Sequence, residues 1–153
     1  MYYYILAFLL FAADQITKYF TVKNLDEFES FIAFEGFLHF TRFHNTGGTW
    51  SIFDNLPIFF VIVTIAIFVF EIIYFRKHPL THPLSKTAAV LINSGALGNL
   101  ADRMFRGYVV DMIEVKFIDY PVFNFADCCI VIGCLLMCIY VLFVAEQAEI
   151  DET

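Results

Sequence analysis

Residues 123 to 140 read FNFADCCIVIGCLLMCIY, an Asn and an Asp followed at once by sequence apolar enough for the hydrocarbon of a bilayer. From Cys128 to Ala145 the chain runs 18 residues without a charge, which by length and composition is a transmembrane helix. The segment therefore places a carboxylate, Asp127, where a helix enters lipid. Composition points the same way: 60% of the 153 residues are hydrophobic, 20 are Phe, and the mean hydropathy is +0.73. Soluble domains are far less apolar, so the chain is an integral membrane protein. No internal repeat or composition break divides it, and residues 1 to 153 read as a single domain.

Three further spans follow. Leu56 to Phe75 is 20 residues interrupted only by Glu71. Thr87 to Ala101, TAAVLINSGALGNLA, is shorter and rich in Ala, Gly and Ser, as in a helix packed among others rather than facing lipid. The N-terminal MYYYILAFLLFAA reaches spanning length only by continuing through DQITKYFTV to Val22, which puts Asp14 and Lys18 inside a helix. A cleaved signal peptide fits that segment poorly, since it lacks a basic n-region. The expected fold is thus an all-α membrane protein with spans near 2–22, 56–75, 87–101 and 124–145. In the first loop, FEGFLHFTRFHNTGGTWSIF predicts a small β-structure around its NTGG turn and a short interfacial helix near Trp50 to Phe53.

Four spans place both termini on one side and the loops 23–55 and 102–122 on the other. Asn99, Asp102, Asn124 and Asp127 then gather with Asn45 and Asp111 at one membrane face, and polar residues near hydrocarbon usually mark function. A plain count of Lys and Arg would put that face in the cytoplasm, with Arg76, Lys77 and Lys86 outside. The net charge of −7 steers topology little, and the acidic tail AEQAEIDET is a solvated end.

The chemistry narrows by residue type. Cys128, Cys129, Cys134 and Cys138 all fall in the last span and read as small hydrophobes. His39, His44, His78 and His82 are scattered without zinc spacing, and no nucleophile elbow or phosphate loop is present. What remains is a carboxylate pair, Asp111 in GYVVDMIEV and Asp127 in FNFADCC. Two carboxyls held close share one proton, and such a dyad can hydrolyse a peptide bond without a cofactor or metal. A plainer reading makes Asn124 a helix N-cap with Asp127 at N3, and pairs Asp111 with Arg103 or Arg106.

Four blocks, ADQITKYF, HNTGGTWSIF, NSGALGNLADRMFRGYVVDMIEV and FNFADCCIVIG, closely resemble the bacterial lipoprotein signal peptidases, or signal peptidase II, in order and over essentially the whole chain. The resemblance implies an aspartic endopeptidase of the bacterial inner membrane; a monomer is the expected state, though the sequence itself does not specify it. Its substrates would be diacylglyceryl-modified prolipoproteins cut before the lipid-bearing Cys, with membrane lipids around it and no nucleic acid partner. By motif position Asp111 and Asp127 match the catalytic pair, and Asp14, Lys18, Asn45, Gly47, Asn99, Asp102, Arg103 and Asn124 match supporting residues. It also implies an outward-facing site and cytoplasmic termini, against the charge count. Asn99 and Asn124 would bind substrate backbone or orient the carboxylates. Asp102 and Arg103 would either pair at the end of the third span or touch substrate, and Asp14 would steady the start of the first loop.

The chain departs from the family pattern at Gly48, Thr49 and Trp50, where Ala-Ala-Phe is common, at Met112 for Phe and at Cys128 for Ser. These changes leave both carboxylates in place but alter the lining. Two other functions remain open on the sequence: a proton-coupled carrier, disfavoured because the carboxylates cluster at one end without a repeat, and a relative that holds lipoproteins without cutting them.

Overall fold

In the computed structural model, which describes residues 1–47 and 56–145, the chain is mostly helical. Helix α1 (Tyr2–Asn24) leads to strands β1 (Ser30–Phe34) and β2 (Leu38–Asn45); α2 (Pro57–Lys77) and α3 (Pro83–Arg106) follow, then β3 (Val109–Val115) and α4 (Phe125–Ile139), which widens into a π-helical turn over Tyr140–Ala145. Among the described residues three segments are long and apolar enough to cross a bilayer: Tyr2–Asn24, Pro57–Lys77 and Phe125–Ala145. The α3 helix is 24 residues long, well beyond the expected 87–101. Proline opens both α2 and α3 at the first turn, where a missing N–H costs nothing, and His82 caps α3 by accepting from Leu84 N at 3.1 Å. Gly107 ends α3 in the left-handed region at φ 80°, which a side chain would resist.

Helix α3 is the hub. Its small residues let neighbours approach until backbones touch, the packing that apolar surroundings favour when burial against lipid gains little. A Cβ placed on Gly95 would collide with the carbonyl of Ala126, and one on Gly133 of α4 would lie 2.9 Å from both Ala88 O and Ile92 N. Gly98 leaves the room that the Asp14 carboxylate occupies. By contrast α2 buries no residue fully and touches α3 through a stripe that includes Glu71.

The sheet departs from the sequence expectation. It is not confined to the first loop: β3 joins it from the segment before α4, giving the antiparallel order β1-β2-β3, so the fold is not purely helical and Asp111 stands on a strand rather than in a loop. The signal was present, since VVDMIEV is β-branched and alternating, but the surrounding spans made it read as a connector. A bulge between Phe40 and Phe43 shifts the β2–β3 register and sets Phe43 opposite Asp111. Arg42, on that bulge, donates to the carbonyls of Val22 and Leu25 at 3.4 and 3.0 Å, satisfying the end of α1 and pinning the sheet to it. On its other edge β3 bridges Phe123 through Ile113, which places Asp111 beside the first turn of α4. The interfacial helix expected near Trp50 to Phe53, with the departures at 48–50, lies outside the described residues.

Candidate active site

Asn124 opens α4 with a capping box. Its side chain accepts from Asp127 N at 2.9 Å, and the Asp127 carboxylate accepts from Asn124 N at 3.1 Å, so two otherwise unpaired amide groups satisfy each other. The capping role foreseen for Asn124 and Asp127 is therefore real, and it fixes the Asp127 rotamer. The same Asn124 then turns its amide N–H toward Asp111 Oδ1 at 2.6 Å and toward Asn99 Oδ1 at 3.1 Å. Asn99 donates to the remaining Asp127 oxygen at 2.8 Å, and Asn45 to the remaining Asp111 oxygen at 2.8 Å. Every oxygen of the two carboxyls thus has a donor, supplied by three asparagines from three elements and one backbone N–H. Gly47 N donates to Asn45 Oδ1 at 3.1 Å, which leaves only the amide nitrogen of Asn45 to face Asp111.

Both carboxyls line one cavity of about 260 Å³, with Asn45, Asn99, Arg103 and the Tyr120–Phe123 segment around it. Asp111 is 1% exposed. Burial raises its pKa to about 7, and the charge of Asp127 pushes in the same direction, against the hydrogen bonds from Asn45 and Asn124. No ion pair joins Asp111 to Arg103 or Arg106 among the described residues, contrary to the plainer reading. Arg103 instead lies over the Phe60 ring, 4.8 Å from its centre, and its Nε is buried without a hydrogen-bond partner.

Beneath the cavity sits a buried ionic cluster. Lys18, fully buried, places Nζ 3.0 Å from Asp14 Oδ2, Asp102 Oδ2 and Asn99 Oδ1 alike. One cation balances two carboxylates in a space where an unpaired charge would be costly. The other oxygen of Asp14 accepts from Ala126 N at 3.1 Å, and Asp102 Oδ2 accepts from Val110 N at 3.1 Å. These are the residues immediately before Asp127 and Asp111, so the cluster holds the backbone at both. Two expectations change here: Asp14 steadies the start of α4, not the first loop, and Asp102 pairs with Lys18 and, at 3.6 Å, with Arg106 rather than Arg103.

All ten residues singled out from the sequence meet in this one assembly. Gln15 was missed: it donates to Asp14 Oδ2 at 3.0 Å and to Gly98 O at 3.3 Å. Its only signal was an amide beside an intramembrane acid. The Tyr120–Phe123 segment was also missed, because a wall made by a loop carries no period.

Residues 6–143 match the family described as signal peptidase (SPase) II. The chain belongs to the signal peptidase II family. A lipoprotein signal peptidase of Bacillus pumilus is 34% identical over 155 residues, with 100% of both chains covered. Two solved bacterial membrane enzymes superpose with TM-scores of 0.85 and 0.83 at 34% and 33% identity, covering 92% and 93% of this chain and 87% and 93% of theirs. This signal peptidase II is therefore a membrane-embedded peptidase, and its candidate site is one cavity where α3, β3 and the start of α4 converge.

Proposed function

We propose that the protein is an aspartic endopeptidase that removes the signal peptide from diacylglyceryl-modified prolipoproteins, cutting before the lipid-bearing Cys. The observation that carries this reading is the pairing of Asp111 and Asp127 on one cavity, each carboxyl held by asparagine side chains. Asp111, with its pKa near 7, keeps the proton. Asp127, in the first turn of α4, is the base in this reading and takes a proton from water, which attacks the scissile carbonyl. Asp111 gives its proton to the carbonyl oxygen, and the reaction balances with water and two carboxyls alone. The guanidinium of Arg103 offers the developing oxyanion a charge, and its unpartnered Nε–H a hydrogen bond to accept. Asn45, Asn99 and Asn124 hold the carboxyls, and the Asp14–Lys18–Asp102 cluster holds the backbone under them.

The rest of the reading rests on membership of the signal peptidase II family. α3 is a fourth span, its polar face absorbed by α1 and α4. The sheet and site face outward from the bacterial inner membrane, both termini lie in the cytoplasm, and the chain works as a single-domain monomer. The carboxylates of a carrier would need a second exit across the membrane, and the Asp14–Lys18–Asp102 cluster seals this one from below.

The test is cleavage of a purified diacylglyceryl-modified precursor, followed by gel shift, by the wild type and by Asp127→Asn. The wild type should cut and the variant should not. Binding without cutting by both proteins would identify a lipoprotein-holding relative instead.

A further inference from the structure

His44 has no part in the site described above, yet it immediately precedes Asn45 and its ring is held on three sides. Nδ1 lies 2.9 Å from Glu27 Oε1, Nε2 accepts from Arg42 Nε at 3.2 Å, and the ring stacks on Tyr108 with centres 3.9 Å apart and planes 28° from parallel. Because Nε2 is used as an acceptor, the proton of the neutral imidazole sits on Nδ1 and is donated to Glu27. Arg42 in turn grips the carbonyls of Val22 and Leu25 at the end of α1, and its backbone bonds Phe28 N and Glu29 O. The His44 side chain is 17% exposed, so these contacts are only partly open to water.

This clamp sits where the ladder ends. Asn45 is the last residue of β2, and the final pairs with β3 are His44 with Val110 and Asn45 with Val109. Side chains alternate along a strand, so the two neighbours take opposite faces. Tyr108, two residues before Val110, meets His44, whereas Asp111, two residues after Val109, receives the Asn45 amide at 2.8 Å. The end of a ladder is the part most prone to fraying, and here it carries a hydrogen bond to the dyad. Accepting the proposed reaction, we propose that His44 is a positioning residue which, wedged between Glu27, Arg42 and Tyr108, holds the end of β2 so that Asn45 aims its amide at Asp111. The imidazole suits this role because, when neutral, it accepts on one nitrogen and donates on the other while offering a face to Tyr108. A protonated ring would set its Nε2–H against the Arg42 Nε–H. Burial, joined by Arg42 and opposed by Glu27, lowers the pKa of His44 and favours the neutral form.

The test reads Asp111 itself. The bond from Asn45 lowers the pKa of that carboxyl, so loosening Asn45 must raise it above the wild-type value of about 7. The full-length protein, labelled with ¹³C at the aspartate carboxyls and held in nanodiscs, is titrated by NMR, with the Asp111 signal assigned through Asp111→Asn. His44→Phe keeps a ring on Tyr108 and loses both hydrogen bonds; it should raise the Asp111 midpoint by about half a unit, roughly threefold in the dissociation constant. His44→Gln can still accept from Arg42 and donate to Glu27, and should raise it by less; if His44→Phe fails to fold, His44→Gln carries the test. Asn45→Ala should raise the midpoint as well, and in that background the His44 variants should add nothing. A midpoint unmoved in both His44 variants, or a full further rise in the Asn45→Ala background, overturns the proposal. With a diacylglyceryl precursor the alkaline limb of kcat should move along with the midpoint. A shifted midpoint in a wild-type protein that never cuts would sink the proposed activity and leave the role of His44 standing; turnover with an unmoved midpoint would do the reverse.

Discussion

Replacing Asp111 by Asn separates two effects of burying that carboxyl. The side chain is 1% exposed, and its pKa moves from 3.8 to about 7, by burial first and the Asp127 charge second. A folded-state value above the unfolded one means that the native protein binds this proton more tightly. The stabilisation is complete below about pH 4 and is lost as pH rises toward 7. Integrated over that shift, the wild type should lose about 2–3 kcal/mol between about pH 5 and pH 8 from this group alone. Asn does not titrate. It does turn an N–H₂ toward the amide of either Asn45 or Asn124, a donor facing a donor, at a pH-independent cost of about 1–3 kcal/mol. Whatever the order of the absolute stabilities, the difference between the two proteins must shift in favour of the variant as pH rises. Thermal or SDS unfolding of both in the same detergent across that range measures it, and turnover by the variant should be absent throughout. Parallel stability curves would mean that Asp111 is ionised in the fold at neutral pH, and the assignment of the proton to it would fail.

Three further outcomes follow from the geometry. Lys18→Met leaves Asp14 buried without a cation and Asp102 with Arg106 alone at 3.6 Å, and should cost about 3–5 kcal/mol, read as a lower unfolding midpoint; adding Asp14→Asn and Asp102→Asn should recover part of it. Gly133→Ala sets a methyl 2.9 Å from Ala88 O and Ile92 N and should destabilise by about 1–3 kcal/mol, whereas Gly36→Ala in the β1–β2 turn, where a Cβ meets nothing within 4 Å, should cost only the strain of its positive φ, about 1 kcal/mol. Wild-type kcat should fall as pH rises through about 7, where Asp111 loses its proton; a kcat that keeps rising from pH 6 to 9 would contradict Asp111 as the acid.

The spans were legible because hydrocarbon demands length and carbon, and both can be counted along the chain. Asp127 was legible for the same reason, as a charge at the edge of an uncharged run. The edges of α3 were not, since its first turn carries Ser85 and Lys86 and its last Asp102, Arg103 and Arg106; Asp102 is accommodated there by Lys18 of α1 and Val110 N of β3, partners that the sequence does not place. The strand at 109–115 was lost to its setting: two long spans on either side made a β-branched run look like a link. Partner choice was the least readable. Asp102 sits beside Arg103 in sequence, yet successive helical residues point about 100° apart, and the Arg103 side chain goes to Phe60 while Asp102 finds Lys18 on α1.

That partner choice explains why so many of the unusual polar residues lie in a helix bundle rather than on the loops that face solvent. The proposed dyad needs two carboxyls at fixed spacing, in a place dry enough to raise the pKa of Asp111 to about 7. Loops alone could not hold this, since the groups that would order them are also the groups that water competes for. Here each carboxyl is anchored twice, through its own oxygens by asparagine amides and through the preceding backbone N–H by Asp14 or Asp102. Both anchors converge on Lys18, because its Nζ touches Asp14, Asp102 and Asn99. A displacement of one carboxyl is therefore opposed by the contacts of the other, and the position of α4, which carries Asp127, is set by close packing at Gly95, Gly98 and Gly133.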